Sequence, residues 1–304
     1  MSMLVKEILE EKELFVSGHR CCAGCAIPII VKLVLAAAQK ICKNIVVGCA
    51  TGCLEVCSTI YPFTSWKCPF IHNAFENVAA TMSGVERAYR VLKKKGKVKE
   101  DVLFIAFGGD GGTYDIGLQA LSGAAERGNK FLYVCYNNQG YMNTGNQRSS
   151  ATPYKAFTTT TPLGKLERRK SLVEILASHG IYAAQTSVHA FQDLTEKVIK
   201  GIKNMPAYLE VLSPCTTNWK FKPEETIEIS KLAVETCFWP LYEIYPNGKY
   251  VINYKPKEKK HVAEFLKRQG RFKKLSEKDV EEIQKRVDEN WERLLRLEDN
   301  SKNL

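Results

Sequence analysis

Four short apolar stretches punctuate the first two thirds of the chain: Ile45–Ala50, Val102–Phe107, Phe131–Tyr136 and Ala207–Leu212. Each is rich in β-branched or aromatic residues and follows a polar or turn segment, which predicts buried strands. Amphipathic patterns lie between them. Pro28–Ile41 opens with a proline suited to a first helical turn. Asn73–Lys95 ends in a basic cluster before Gly96. Ile116–Arg127 stops before Gly128, Ser171–His179 stops before Gly180, and His189–Lys203 completes the set. Strands alternating with helices predict an α/β fold with a parallel, doubly wound sheet. The segment 141–169 is polar and rich in Thr and Gly. It is too long for a plain connector, so it is expected to carry function.

From about Lys220 the chain becomes strongly charged. Ser276 and Asp279 form a capping-box pattern, and Val280, Ile283, Val287, Trp291 and Leu294 recur at helical spacing. This reading divides the chain into a ligand-binding domain over 1–219 and a charged C-terminal helical extension over 220–304, whose apolar stripe is expected to pack on a partner subunit.

Composition narrows the options. At 45% hydrophobic and 25% charged residues the chain is an ordinary globular one. Charges recur every few residues in the opening stretch, and the apolar run from Ile27 to Ala38 is interrupted by Lys32 and too short to cross a bilayer. A cytoplasmic protein, neither membrane-bound nor secreted, is therefore expected. Eleven cysteines without a secretory signal argue for metal binding or buried thiols rather than disulfides. The formal charge of +11 suggests an acidic partner. No nucleic-acid motif accompanies it, and much of the excess lies between Lys255 and Lys274, where nine Lys and Arg face only Glu258 and Glu264.

The unusual residues fall directly after the predicted strands. Thr51-Gly52-Cys53 follows the first, Gly108-Gly109-Asp110-Gly111-Gly112 the second, Asn137-Asn138-Gln139-Gly140 the third and Ser213-Pro214-Cys215 the fourth. In an open parallel sheet, ligands bind outside the carboxyl ends of the strands, so these four loops can meet at one site. Glycines let backbone approach a diphosphate, and a following helix N-terminus favours the anion. Asp110 can supply a carboxylate to a hard divalent cation. Cys22 and Cys25 form a CxxC pair, which alone is compatible with zinc, a redox pair or coincidence. With Cys53 and Cys215 added, four thiolates suit either zinc or an iron–sulfur cubane. Cys49, Cys53 and Cys57 are spaced by four, so spacing leaves Cys49 and Cys57 open beside Cys53; Cys21 is likewise an alternative to Cys22. Cys42, Cys68, Cys135 and Cys237 read as buried thiols. His72 is a candidate for a substrate pocket and Asn73 for a helix cap; His179 and His189 read as helix-end residues.

Gly109-Asp110-Gly111 followed 25 residues later by Asn137-Asn138 resembles the thiamine diphosphate motif. Cys22-x-x-Cys25, Thr51-Gly52-Cys53, the Gly109–Gly112 run, Tyr141–Gln147, Ala151-Thr152-Pro153 and Ser213-Pro214-Cys215, in that order, resemble the β subunit of the 2-oxoacid:ferredoxin oxidoreductases, most like the pyruvate type. The likeness covers about 17–219 and returns in the tail at Glu264–Phe272. Asn138, where some members have Thr, and Ala26, where many have Gly, are departures. The resemblance implies the thiamine-diphosphate-binding fold, with Gly52, Cys53, Gly109, Asp110, Gly111, Gly112, Asn138, Gly140, Asn143 and Thr144 at the cofactor. It implies Mg²⁺ on Asp110, Asn138 and the carbonyl of Gly140. It implies a 4Fe–4S cluster on Cys22, Cys25, Cys53 and Cys215, and Asn143 beside the reacting end. It also implies an α subunit that completes the active site, γ and δ ferredoxin-like subunits, ferredoxin as acceptor, and coenzyme A with a 2-oxoacid as substrates. Oxalate, branched-chain oxoacids and 2-oxoglutarate are alternatives to pyruvate. A non-redox thiamine-dependent decarboxylase and a non-catalytic Fe–S or zinc protein are the rival classes. Glu55 and Glu76 are the conceivable activating carboxylates, but no motif assigns either.

Overall fold

The computed structural model describes residues 3–304. Its centre is one eight-stranded sheet: β1 (Ile45–Ala50), β2 (Phe70–Asn73), β3 (Leu103–Gly109), β4 (Leu132–Asn137), β5 (Tyr182–Ser187), β6 (Ala207–Leu212), β7 (Tyr242–Ile244) and β8 (Tyr250–Ile252), in the order β2-β1-β3-β4-β6-β5-β7-β8. The first six strands pair in parallel; β7 and β8 join antiparallel at the β5 edge.

The four predicted strands are β1, β3, β4 and β6. They are almost wholly buried because helices cover both faces, which is why they read as continuous apolar runs. The pleat sends alternate side chains of β3 to opposite sides. Ile105 and Phe107 join one core, with helices Ile27–Gln39 and Phe191–Lys203. Phe104 and Ala106 join another, with helices Val78–Lys94 and Leu118–Glu126. Helix Cys53–Ser58, after β1, packs Leu54 into the first core, whereas helix Leu118–Glu126, after β3, packs Leu121 into the second. The connections leaving these adjacent strands thus diverge to opposite faces, which opens a crevice at their carboxyl ends.

The C-terminal segment is not a projecting arm. β7 and β8 extend the sheet, and Trp219, Trp239, Phe265, Phe272, Ile283 and Val287 form a third core. Helix Glu277–Asn300 starts at the capping box of Ser276 and Asp279, as its sequence predicts. Its stripe, however, turns inward: Ile283, Val287 and Leu294 are buried against this chain's own elements. Four of the nine basic residues of the 255–274 stretch are paired within the chain. Lys255 pairs with Glu298, Lys259 with Asp288, Lys260 with Glu235 and Arg268 with Glu225. Among the described residues no helix is long and apolar enough to cross a membrane.

Candidate functional site

The loops after β1, β3 and β4 meet in a small cavity of about 40 Å³, lined by Thr51, Gly52, Cys53, Phe75, Gly109, Gly111, Gly112, Tyr136, Asn138, Gly140, Tyr141, Met142, Asn143 and Thr144. Nine of the ten residues expected at the cofactor are on this wall, and the tenth, Asp110, is buried beside it.

After β3 the chain enters a wide π-type turn, Gly111–Ile116, closed by Gly117 N–H donating to the Gly112 carbonyl at 2.7 Å. Such turns recur at functional sites. The glycines are demanded by close approach rather than by φ. A Cβ on Gly111 would lie 2.7 Å from the ring of Tyr141, and one on Gly112 would lie 2.8 Å from the Phe75 carbonyl oxygen. Phe75 and Tyr141 stack with ring centroids 5.6 Å apart.

Asp110 is fully buried, and burial pushes its carboxyl up to about 7 against the opposing pull of its hydrogen bonds. Ser149 Oγ donates to its Oδ2 at 2.5 Å, and the Asn138 N–H donates to its Oδ1 at 3.2 Å. The side-chain oxygen of Asn138 faces two other acceptors, Asp110 Oδ1 at 2.9 Å and the Gly140 carbonyl oxygen at 3.0 Å. The Asp110 carboxyl, one end of the Asn138 amide and the Gly140 carbonyl thus converge at one point. Two arrangements relieve this: the amide turns over and donates to both, or a cation sits among the three. Neighbouring Asn137 turns away from the cavity, donating through Nδ2 to buried Glu210 beneath it.

The Asn138–Gly140 turn is braced from the C-terminal segment. Trp219 Nε1 donates to the Asn138 carbonyl at 2.8 Å. Arg271, fully buried with its guanidinium 3.7 Å from the Trp219 ring, donates through Nη2 to Gln139 Oε1 at 2.7 Å. Tyr136, on the cavity wall, has the Leu54 N–H beside its hydroxyl oxygen, but its own hydroxyl proton finds no acceptor among the described residues. Sequence reasoning missed Ser149, Tyr136, Phe75, Trp219 and the bracing role of Arg271. Of these, Ser149 lay in the polar 141–169 segment and Arg271 in the Glu264–Phe272 stretch of the family resemblance.

A sulfur patch shares one wall with this cavity through Cys53. Cys22, Cys25, Cys53, Cys57 and Cys215 lie near enough to act on one another electrostatically, and the Cys21 thiol acts on those of Cys25 and Cys57. Burial and the surrounding sulfurs hold the Cys53 thiol well above its ordinary range. Cys25, at the entrance to helix Ile27–Gln39, is held below it by the Cys21 contact and the Ile27 N–H. Cys49 is enclosed within β1, far from solvent, and so is set apart from the patch; Cys135 and Cys237 are likewise buried. Among the described residues no three Cys, His, Asp or Glu side chains are gathered so as to hold a single metal ion.

His72 stands outside the cavity. Its Nε2 lies 3.0 Å from Thr51 Oγ1 and its Nδ1 3.5 Å from Glu55 Oε1. Asn73 does not cap a helix: it ends β2, donates through Nδ2 to the Ile71 carbonyl at 2.9 Å, and the next helix starts only at Val78. Asn143 is exposed on the loop closed by Tyr141 N–H donating to the Gln147 carbonyl at 2.9 Å.

Residues 46–211 match the family model of the thiamine pyrophosphate enzyme C-terminal, TPP-binding domain. The chain is similar to pyruvate synthase subunit PorB of Thermotoga maritima, with 53% identity across 99% of this chain and 98% of that protein. It is similar to ketoisovalerate oxidoreductase subunit VorB of Pyrococcus abyssi, with 43% identity across 94% of each. Its fold resembles that of 2-oxoglutarate:ferredoxin oxidoreductase from Magnetococcus marinus, with a TM-score of 0.57 at 20% identity and 67% of each chain covered.

Proposed function

Because this chain belongs to the family of thiamine-diphosphate-binding, PorB-type subunits of the 2-oxoacid:ferredoxin oxidoreductases, we propose that it acts in the coenzyme-A-dependent oxidative decarboxylation of pyruvate, with ferredoxin as electron acceptor. Thiamine diphosphate supplies the carbanion chemistry that releases CO₂ from a 2-oxoacid, and a 4Fe–4S cluster supplies one-electron acceptance. The protein's task is to hold, orient and brace.

The observation that carries this reading is the convergence of the buried Asp110 carboxyl, the Asn138 amide and the Gly140 carbonyl on the cavity that the glycine loops line. Neighbouring ligands of an octahedral Mg²⁺, with bonds of about 2.0–2.1 Å, stand about 2.9 Å apart. One end of the Asn138 amide here lies 2.9 Å from Asp110 Oδ1 and 3.0 Å from the Gly140 oxygen, and turning the amide presents its oxygen or its NH₂ at that point. In this reading Asp110 gives the carboxylate, Asn138 its amide oxygen and Gly140 its carbonyl, while Ser149, Trp219 and Arg271 keep them in place. The backbone at Gly111 and Gly112 would receive the diphosphate, Tyr136 would donate a hydrogen bond from its hydroxyl, and Asn143 would stand near the reacting end.

Cys22, Cys25, Cys53 and Cys215 hold the cluster. Tetrahedral thiolates around one zinc stand about 3.8 Å apart, given Zn–S bonds of about 2.3 Å. A cubane places each thiolate on a different iron and needs them farther apart. The patch adjoins the cofactor cavity through Cys53, where a redox centre has a use and a structural zinc has none, which favours the cubane. Cys53 borders both centres, so electrons have a short path. Eleven free thiols suit a reducing cytoplasm.

The cavity of about 40 Å³ is far smaller than the cofactor. Leu163 and Leu166 are strongly exposed on a loop joined to the Asn143 loop, where Thr159 Oγ1 donates to the Gly145 carbonyl. These features support an α subunit that supplies the missing wall and the activating carboxylate, with ferredoxin-like γ and δ subunits taking the electrons.

The test is to co-express the complex, assay a panel of 2-oxoacids with coenzyme A and ferredoxin, and repeat with this chain alone. Pyruvate should be the best substrate, and the lone chain should bind Mg-thiamine diphosphate without turnover. Preference for a branched-chain oxoacid would assign the VorB-like specificity instead, and robust turnover by the lone chain would show that its catalytic groups are complete.

A further inference from the structure

Six cysteines converge where a cubane needs four. The two left over, Cys21 and Cys57, are not scattered bystanders. Their thiols are near enough to act on each other electrostatically, and Cys21 also acts on Cys25. The backbone fixes the approach: Arg20 N–H donates to the Cys57 carbonyl at 2.8 Å, which clamps the loop before the CxxC pair onto helix Cys53–Ser58. Cys57 lies one turn after Cys53 on that helix, and both Cys21 and Cys57 are partly exposed. By contrast Cys49, Cys135 and Cys237 are sealed in the core.

We propose that Cys21 and Cys57 form a reversible redox pair beside the cluster, which closes to a disulfide when the protein meets a low-molecular-weight disulfide. The inference rests on the cluster assignment only in that Cys25, when bound to iron, is unavailable to Cys21. The chemistry is two exchanges. One Cys57 sulfur attacks the oxidant, forming a mixed disulfide and releasing one small thiol. Cys21 then attacks the Cys57 sulfur, forming the Cys21–Cys57 bond and releasing the second. The protein dithiol is oxidised, the small disulfide is reduced to two thiols, and both protons leave with them. The bond ties the loop carrying Cys22 and Cys25 to the helix carrying Cys53. Three of the four ligands therefore keep their mutual placement while iron is absent, and a dithiol reductant reopens the pair.

The experiment uses the complex purified without oxygen, exposed to glutathione disulfide, quenched with an alkylating agent and mapped by peptide mass spectrometry, with iron measured in parallel. The unmodified complex should yield a peptide cross-linked between Cys21 and Cys57 that is lost on reduction. Cys21→Ser should instead leave glutathione on Cys57, and both Cys21→Ser and Cys57→Ser should keep full iron before challenge. Absence of the cross-link in the unmodified complex overturns the proposal, as does a Cys21–Cys25 link in iron-loaded protein. Iron loss from unchallenged Cys57→Ser also overturns it, by making Cys57 a ligand. An unmodified complex that lacks iron yet forms the cross-link would instead remove the cluster reading and leave the redox pair standing.

Discussion

The two chemical regions at the carboxyl edge of the sheet are built on the same principle and held in opposite ways. The oxygen-lined pocket is buried and tightly bonded: Asp110 is fully enclosed, and Ser149, Trp219 and Arg271 each place a donor on it or on the turn facing it. The sulfur patch is half exposed, and its side chains meet chiefly one another. The difference agrees with the ligands proposed for each region. A small hard ion demands near-ideal geometry at short bonds, so its donors must be preset. A cubane gathers thiolates by strong bonds of its own, so the protein need only bring them near. The oxygen site therefore depends on its braces, whereas the sulfur site depends on its ligands.

The largest effect should separate the regions outright. Cys25→Ala removes one of the four proposed thiolates, and the complex should lose about four irons, the content of one cubane, while still binding Mg-thiamine diphosphate. Cys135→Ala, in the sheet core, should keep both. Iron analysis and cofactor titration on the two variants make the comparison, and full iron in Cys25→Ala would break it.

Asp110→Ala comes next. It deletes the carboxylate of the proposed cation site, so affinity for Mg-thiamine diphosphate should fall at least tenfold, about 1.4 kcal/mol, with iron unchanged. The same group sets a pH dependence. Burial raises the Asp110 carboxyl from 3.8 to about 7 in the folded protein without cation. The folded state then holds a proton that the unfolded chain has released, so this carboxyl makes the cofactor-free protein lose stability as pH rises from about 4 to about 7. Cation binding must displace that proton. Affinity should accordingly weaken as pH falls below about 7, approaching tenfold per unit, and the dependence should vanish in Asp110→Ala. Calorimetric titration across pH checks both statements.

The smallest effect tests the bracing itself. Ser149→Ala leaves every cation ligand in place and removes only the hydrogen bond to Asp110 Oδ2. A bond to a charged group contributes about 1.5–3 kcal/mol at most, part of which water can replace in the truncated side chain's space. Cofactor affinity should drop several-fold, less than in Asp110→Ala, and Ser149→Thr should restore much of it. An unchanged affinity in Ser149→Ala would mean that the pocket, like the sulfur patch, needs only its ligands.

Much of this was legible in the chain, for local reasons. β1 and β6 fall where their apolar runs predict, because strands buried on both faces carry an uninterrupted signal. The loops after them stand out because glycine, aspartate and cysteine are costly choices next to a core. β5 escaped because its sequence, Tyr182-Ala183-Ala184-Gln185-Thr186-Ser187, has little strand character; its burial comes from the neighbours it lies between. β2 escaped because it is a four-residue edge strand.

What the sequence by itself determined was the inventory: which strands carry which chemical loops, and that those loops share one edge of a parallel sheet. Only the tertiary structure decided how that inventory is used. It turned Asn137 down to Glu210 and Asn138 toward Asp110 and Gly140, although the two are adjacent and identical. It enclosed Cys49 while leaving Cys53 and Cys57 in the patch. It also folded the charged C-terminal segment back, so that Arg271, 132 positions from Gln139, braces the turn that holds Asn138. Side-chain direction and long-range packing depend on backbone register and on which faces meet, and neither is encoded in local spacing.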